Sequence, residues 1–277
     1  MALIDLRHWH NEPYLIGGLI LLAWGYALAV GPFRGRWGLT APVSRWRQSS
    51  YYGSLIIFYM AVGSPFDQLG ERFLFSAHML QHIILIYPCA VLWLLGWPAP
   101  VLDGLIKSTG RAHFFGWFLT RPVVAGILYV SVQTIWHIPE LYDLALQDRF
   151  VHIMEHLSFF STAVLFWWSV VTRSKRWPPL RLPAQMVYLF AIGVAFTPLF
   201  AFITFSSEVL YPTYEFAPRL IPGFSPMDDQ LLAGAIMKLG NVVVTVGGFI
   251  VIFWLWHRET ERIHAATDKA GRRLLRP

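Results

Sequence analysis

The 277-residue chain is 56% hydrophobic and only 14% charged, against about a quarter charged in ordinary soluble domains, which excludes a soluble globule. Its net charge of +6 would suit nucleic acid, but that reading fails once the basic residues are found sorted to one side of a bilayer. A single cysteine excludes an internal disulfide framework.

Seven apolar stretches approach the ~20 residues needed to cross a hydrocarbon core. In chain order they lie near residues 14–31, 49–63, 73–96, 121–138, 150–171, 184–205 and 230–256, the second being the shortest. The first ends in ALAVG, which has the small residues of a signal cleavage site, yet Asp5 and Glu12 precede it and a basic loop follows. That pattern predicts an anchor with its N-terminus outside. Every second connection is basic: Arg34, Arg36, Arg45 and Arg47; then Lys107, Arg111 and Arg121; then Arg173, Lys175, Arg176 and Arg181; then the tail from Arg258. The alternate connections hold only Arg7, Arg72, Arg149 and Arg219, together with most of the acidic residues. Excess Lys and Arg marks the cytoplasmic side, so the expected fold is all-α: a polytopic seven-transmembrane-helix bundle, one domain over 1–277, N-terminus outside and C-terminus cytoplasmic. Helices satisfy their backbone polar groups locally, as lipid demands.

The third stretch carries HMLQH, with His78 and His82; the fourth ends in WHIP, with His137; the fifth carries HIMEH, with His152 and His156. At ~1.5 Å per residue, all five fall in the outer half of the bundle. Residues at i and i+4 share a helix face with Cβ atoms ~5–6 Å apart, from which two imidazoles can converge on one ion at ~2.0 Å. Each histidine taken alone also reads as polar glue between helices. The depth-matched set favours a transition-metal site, since ionisable residues inside a membrane are costly and usually functional.

Met60, near the outer end of the second stretch, and Met237, in the seventh, add soft thioether donors of the kind that suits Cu(I). Met79 and Met154 point off the histidine face and read as core filler, and Cys89 reads as a small buried residue on the stripe of His82. Glu155 is placed to orient a ligating histidine from behind or to act as a base. Asp67 and Asp229 start helices, where capping and the helix dipole account for them. Lys238, at membrane depth, is expected to pair with an outer carboxylate. His8, Trp9 and His10 form a short outer segment that either presents a metal or is a tail.

HMLQH, WHIPELYDLAL, HIMEHLSFFSTAVLFWW, TFSSEVLYPTYE and DDQLLAGAIMKLG occur in that order over residues 50–256. The series resembles the bacterial seven-helix cytochrome c oxidase assembly factors associated with caa3-type oxidases. The resemblance implies an accessory protein of the bacterial plasma (inner) membrane, not an enzyme, that helps build haem-copper oxidase by handling copper on the periplasmic side. It carries over to His78, His82, His137, His152, Glu155, His156, Asp229, Gln230 and Met237; Met60 and Asp67 join from the residue reading alone. Lys238 departs from the pattern, which has an aromatic after the methionine. Spacing and topology argue for a transition metal, and only the resemblance supplies copper and an oxidase subunit as its destination. The implied route is ligand exchange from a periplasmic copper donor, with the outer loop at residues 206–229, long enough to be functional, as docking surface. Three other classes remain open: an intramembrane zinc-dependent hydrolase with Glu155 or Asp67 activating water, a b-type haem carrier, and a scaffold without metal.

Overall fold

The computed structural model describes residues 7, 9–106 and 110–274, without the side chains of 112 and 269–274; His8 lies outside the described residues. Among those described, every regular element is helical. α1 (Pro13–Val30) leads through a 3-10 turn to α2 (Arg45–Gly63) and the short α3 (Pro65–Arg72). α4 (Phe75–Ile84) continues through a π-helical turn at Leu85–Cys89 into α5 (Ala90–Gly96). Pro88 sits inside that turn and cannot donate to the helix ladder; within the same turn the Ile86 carbonyl accepts from Trp167 Nε1 at 2.9 Å. α6 (Ala99–Leu105), α7 (Arg111–Leu119), α8 (Pro122–Trp136), α9 (Pro139–Gln147) and α10 (Arg149–Val171) follow, then α11 (Leu182–Ala195), α12 (Thr197–Thr204), α13 (Pro212–Glu215) and the long α14 (Pro226–Leu274).

Five helical stretches are long and apolar enough to cross a membrane: Pro13–Val30, Phe75–Gly96, Arg149–Val171, Leu182–Thr204 and Pro226–Asp268. A sixth results if His113–Leu119 and Pro122–Trp136, bent by 71°, count as one. The protein is therefore a multi-pass helical membrane protein, with five to six spans by length and apolarity where seven were expected. α2 is helical over the expected second segment, but it carries Arg45, Arg47, Gln48 and several hydroxyls, which dilute its apolarity.

The main core gathers buried residues of α4, α5, α8, α10, α11, α12 and α14, including Phe75, Tyr129, Phe159, Phe166, Leu189 and Ala233. A smaller cluster joins α1 to α2 at the basic end, where Tyr26 and Tyr51 stack with centroids 3.9 Å apart. At that same end Arg47 donates to the carbonyls of Leu95 and Trp97 at 3.2 and 3.0 Å, a cation at the C-terminus of α5 where the helix dipole favours it. At the opposite end α3 packs against α4. A Cβ on Gly70 would meet His78 Cα at 3.1 Å, so any larger residue would have to push the two helices slightly apart.

Candidate metal centre

The two histidine-bearing helices begin at carboxylate caps. Asp148 accepts from Val151 N at 3.0 Å at the start of α10. Asp229, from α14, accepts from Phe75 N at 2.7 Å and Ser76 N at 3.0 Å at the start of α4, satisfying amides that have no intrahelical partner. His78 and His82, one turn apart on α4, have ring centroids 4.3 Å apart, and His152 and His156 on α10 have theirs 4.2 Å apart. The pairs face each other: His78 lies 5.5 Å from His152 and 5.8 Å from His156, and His82 lies 5.4 Å from His156 and 6.0 Å from His137 at the end of α8. All five are buried, as is Glu155, whose Oε1 is 3.7 Å from His82 Nε2. His78, His82, Glu155 and His156 offer ligand atoms that all lie within 4.8 Å of one another.

Several of these atoms have no hydrogen-bond partner among the described residues: His78 Nε2, both nitrogens of His82, Nε2 of His152 and of His156, and both oxygens of Glu155. Buried polar atoms are normally paired. A convergent set of imidazole lone pairs and a carboxylate fits the donor chemistry of a borderline or soft transition ion.

Neighbouring groups fix which nitrogens point inward. The Tyr214 hydroxyl donates its one hydrogen to the Gly70 carbonyl at 2.8 Å, so at its 3.1 Å contact with His78 Nδ1 the nitrogen must donate. That tautomer leaves the lone pair on Nε2. His152 Nδ1 donates to Glu71 Oε1 at 2.6 Å, again freeing Nε2. His137 Nδ1 donates to the Gln133 carbonyl at 2.6 Å, and its Nε2 is 3.3 Å from Met79 Sδ. In the neutral imidazole both atoms of that last contact present lone pairs, an arrangement suited to a soft cation.

The outer rim is built by α3 and the N-terminal segment. His10 Nε2 lies 3.2 Å from Asp67 Oδ2 and His10 Nδ1 3.2 Å from Glu12 Oε1; Glu12 pairs with Arg149. Asp67 also accepts a hydrogen bond from Gln81 Nε2. The hydrogen bond that His10 donates to Asp67 holds its imidazole above the ordinary range. Burial works to raise the Glu71 carboxyl, but the hydrogen bond that His152 donates, with Arg72 and His10 nearby, outweighs it and holds it below the ordinary range. Asp67, His152 and His156 form a second group with ligand atoms within 4.8 Å, and His10, Asp67 and Glu71 a third.

The structure thus brings together all five expected histidines with Glu155, and sets Asp67 at the rim. Met60 is 47% exposed on α2, away from the buried set, and Met237 packs in the main apolar core. Met79, read from the sequence as filler facing away, instead contacts His137. Asp229 caps α4 rather than its own helix. Gln230 braces the outer loop, accepting from Leu210 N at 2.8 Å and donating to the carbonyls of Ile203 and Glu208 at 3.3 and 3.1 Å. Lys238 meets no carboxylate among the described residues: Nζ is 3.2 Å from Thr197 Oγ1 and 5.4 Å from the centroid of the Phe200 ring. The Cys89 thiol donates to the Ser54 carbonyl at 3.3 Å. Glu71, Tyr214 and Gln81 went unnoticed in the sequence because their roles depend on where α3 and α13 lie, which no local spacing encodes.

A family model described as cytochrome c oxidase caa3 assembly factor matches residues 24–259. The chain belongs to that family. Similar proteins include an uncharacterised protein of Mycobacterium bovis and one of Mycobacterium tuberculosis, each 24% identical over 95% of this chain and 42% of their own length. One of Mycobacterium leprae is 24% identical over 94% of this chain and 41% of its own. The chain thus spans about two fifths of the length of these relatives. No solved structure matches it.

Proposed function

We propose that this caa3 assembly factor binds copper as Cu(I) on the histidines of α4 and α10 and passes it to a haem-copper oxidase subunit. The observation that carries the reading is the convergence of unpaired imidazole nitrogens from two helices within 4.8 Å. The thioether of Met79 beside His137 favours Cu(I) over a harder ion, and the family supplies the oxidase. In this reading α2, and α8 with α7, also cross the bilayer, making seven spans, and the basic connections are cytoplasmic. The N-terminus and the metal site then face the periplasm, where a copper donor loads the site. Cargo must leave again, and the one thiol, Cys89, is engaged with Ser54, so release asks for exchange of imidazole and carboxylate ligands and not of a thiolate. The outer loop suits docking: Tyr211 and Tyr214 are buried over the cluster, while Phe205 and Phe216 are 83% and 81% exposed.

Metal analysis of the detergent-purified protein tests this, comparing wild type with His78→Ala, His82→Ala and His156→Ala. Copper bound by wild type and lost stepwise is expected; equal copper in all four proteins refutes the ligand assignment. Glu155, unpaired and 3.7 Å from His82, also suits activation of a zinc-bound water. Zn²⁺-dependent hydrolysis of lipid or amide substrates, abolished in Glu155→Gln, would replace the copper reading with that one.

A further inference from the structure

We propose that copper reaches the buried histidines along a ladder of overlapping ligand sets whose outermost rung is His10, Asp67 and Glu71. The inference rests on the copper reading above. The three groups, His10 with Asp67 and Glu71, Asp67 with His152 and His156, and His78 with His82, Glu155 and His156, each hold their ligand atoms within 4.8 Å. Adjacent groups share a member: Asp67 joins the first to the second, and His156 joins the second to the third. An ion can therefore gain a donor from the next rung before it loses one from the last.

Access follows the same order. A cavity of about 540 Å³ is lined by His10, Asp67, Glu71, His152 and His156, but not by His78, His82 or Glu155. His156 is the imidazole that belongs to both the cavity wall and the innermost set. The Nε2 atoms of His152 and His156 are buried and have no partner among the described residues, so they are available to a passing ion. Asp67 is held in place by Gln81 and Glu71 by His152.

Donor chemistry gives the ladder a direction. The first rung offers one imidazole and two carboxylates, the second two and one, the third three and one. Carboxylates suit hard ions and imidazoles suit copper, so a soft cation is held better at each inward step. Each step breaks one Cu–O or Cu–N bond as one Cu–N bond forms; a ring nitrogen that binds the ion first gives up its proton, which for His10 passes to the carboxylates it faces or to solvent, and copper stays Cu(I) throughout with no electron exchanged.

The test is anaerobic stopped-flow transfer of Cu(I) from a coloured chelator complex to the full chain in detergent. Asp67→Asn is expected to slow loading by about tenfold or more, the rate equivalent of one lost charged contact on the path, with final copper content and equilibrium affinity unchanged. Glu71→Gln, which keeps an acceptor for His152, is the second variant should Asp67→Asn fold poorly, and slower loading is expected of it too. Loading of both variants at the wild-type rate overturns the ladder, as does an equilibrium affinity that falls along with the rate, which would make the rim part of the resting site. A wild type that takes up no Cu(I) overturns the copper reading itself and the ladder with it.

Discussion

Tyr214 shows how much of the site is decided by a side chain that touches no ion. Its hydroxyl is committed to Gly70, which forces His78 to present Nε2 to the cluster. Tyr214→Phe should leave the bundle folded at a cost of about 1 kcal/mol but lower Cu(I) affinity roughly 10–100-fold; chelator competition checks the affinity and a thermal melt the fold. The histidine pairs were legible in the sequence because a spacing of four fixes two side chains on one face whatever the tertiary structure. Met79 was not. It neighbours His78 on the helix surface without facing it, and only the position of α8 puts His137 at its sulfur.

Caps and ties between elements hold that arrangement. Asp229 reaches from α14 to two amides at the start of α4, and Asp229→Ala should destabilise the protein by roughly 1.5–3 kcal/mol and loosen His78 and His82 together, measurable as a lower melting temperature and weaker copper binding. At the basic end Asp103 accepts from Ser174 Oγ at 2.5 Å and from the amides of Lys175 and Arg176 at 3.1 and 3.2 Å. Burial acts to raise its carboxyl, but these donors prevail and hold it below its ordinary value of 3.8. A depressed carboxylate stabilises the fold fully above its unfolded pKa, and this is lost as pH falls through the folded one. Melting temperature should therefore drop on acidification below about pH 4, and this component of the drop should be absent in Asp103→Asn. The long apolar helices were legible from composition alone. The expected segment 121–138 corresponds to the 15-residue α8, which is too short to span unless the bent α7 joins it. The caps of α4 could not be read, because the carboxylate that starts it lies 154 residues further on.

Across the whole molecule, the fold surrounds the histidines with apolar residues and leaves several nitrogens without protein partners, and a buried unpaired polar atom costs about 1–3 kcal/mol. His82→Leu should therefore weaken copper binding yet raise the melting temperature of the metal-free protein, a separation of function from stability that differential scanning fluorimetry would detect. On the proposed copper reading, the same imbalance ties durability to cargo. A guest that binds only the native state shifts unfolding by mass action, so full copies outlast spent ones. Membrane proteases that cull unfolded chains would then make the abundance of this factor a running record of copper supply, falling under starvation without any change in its synthesis.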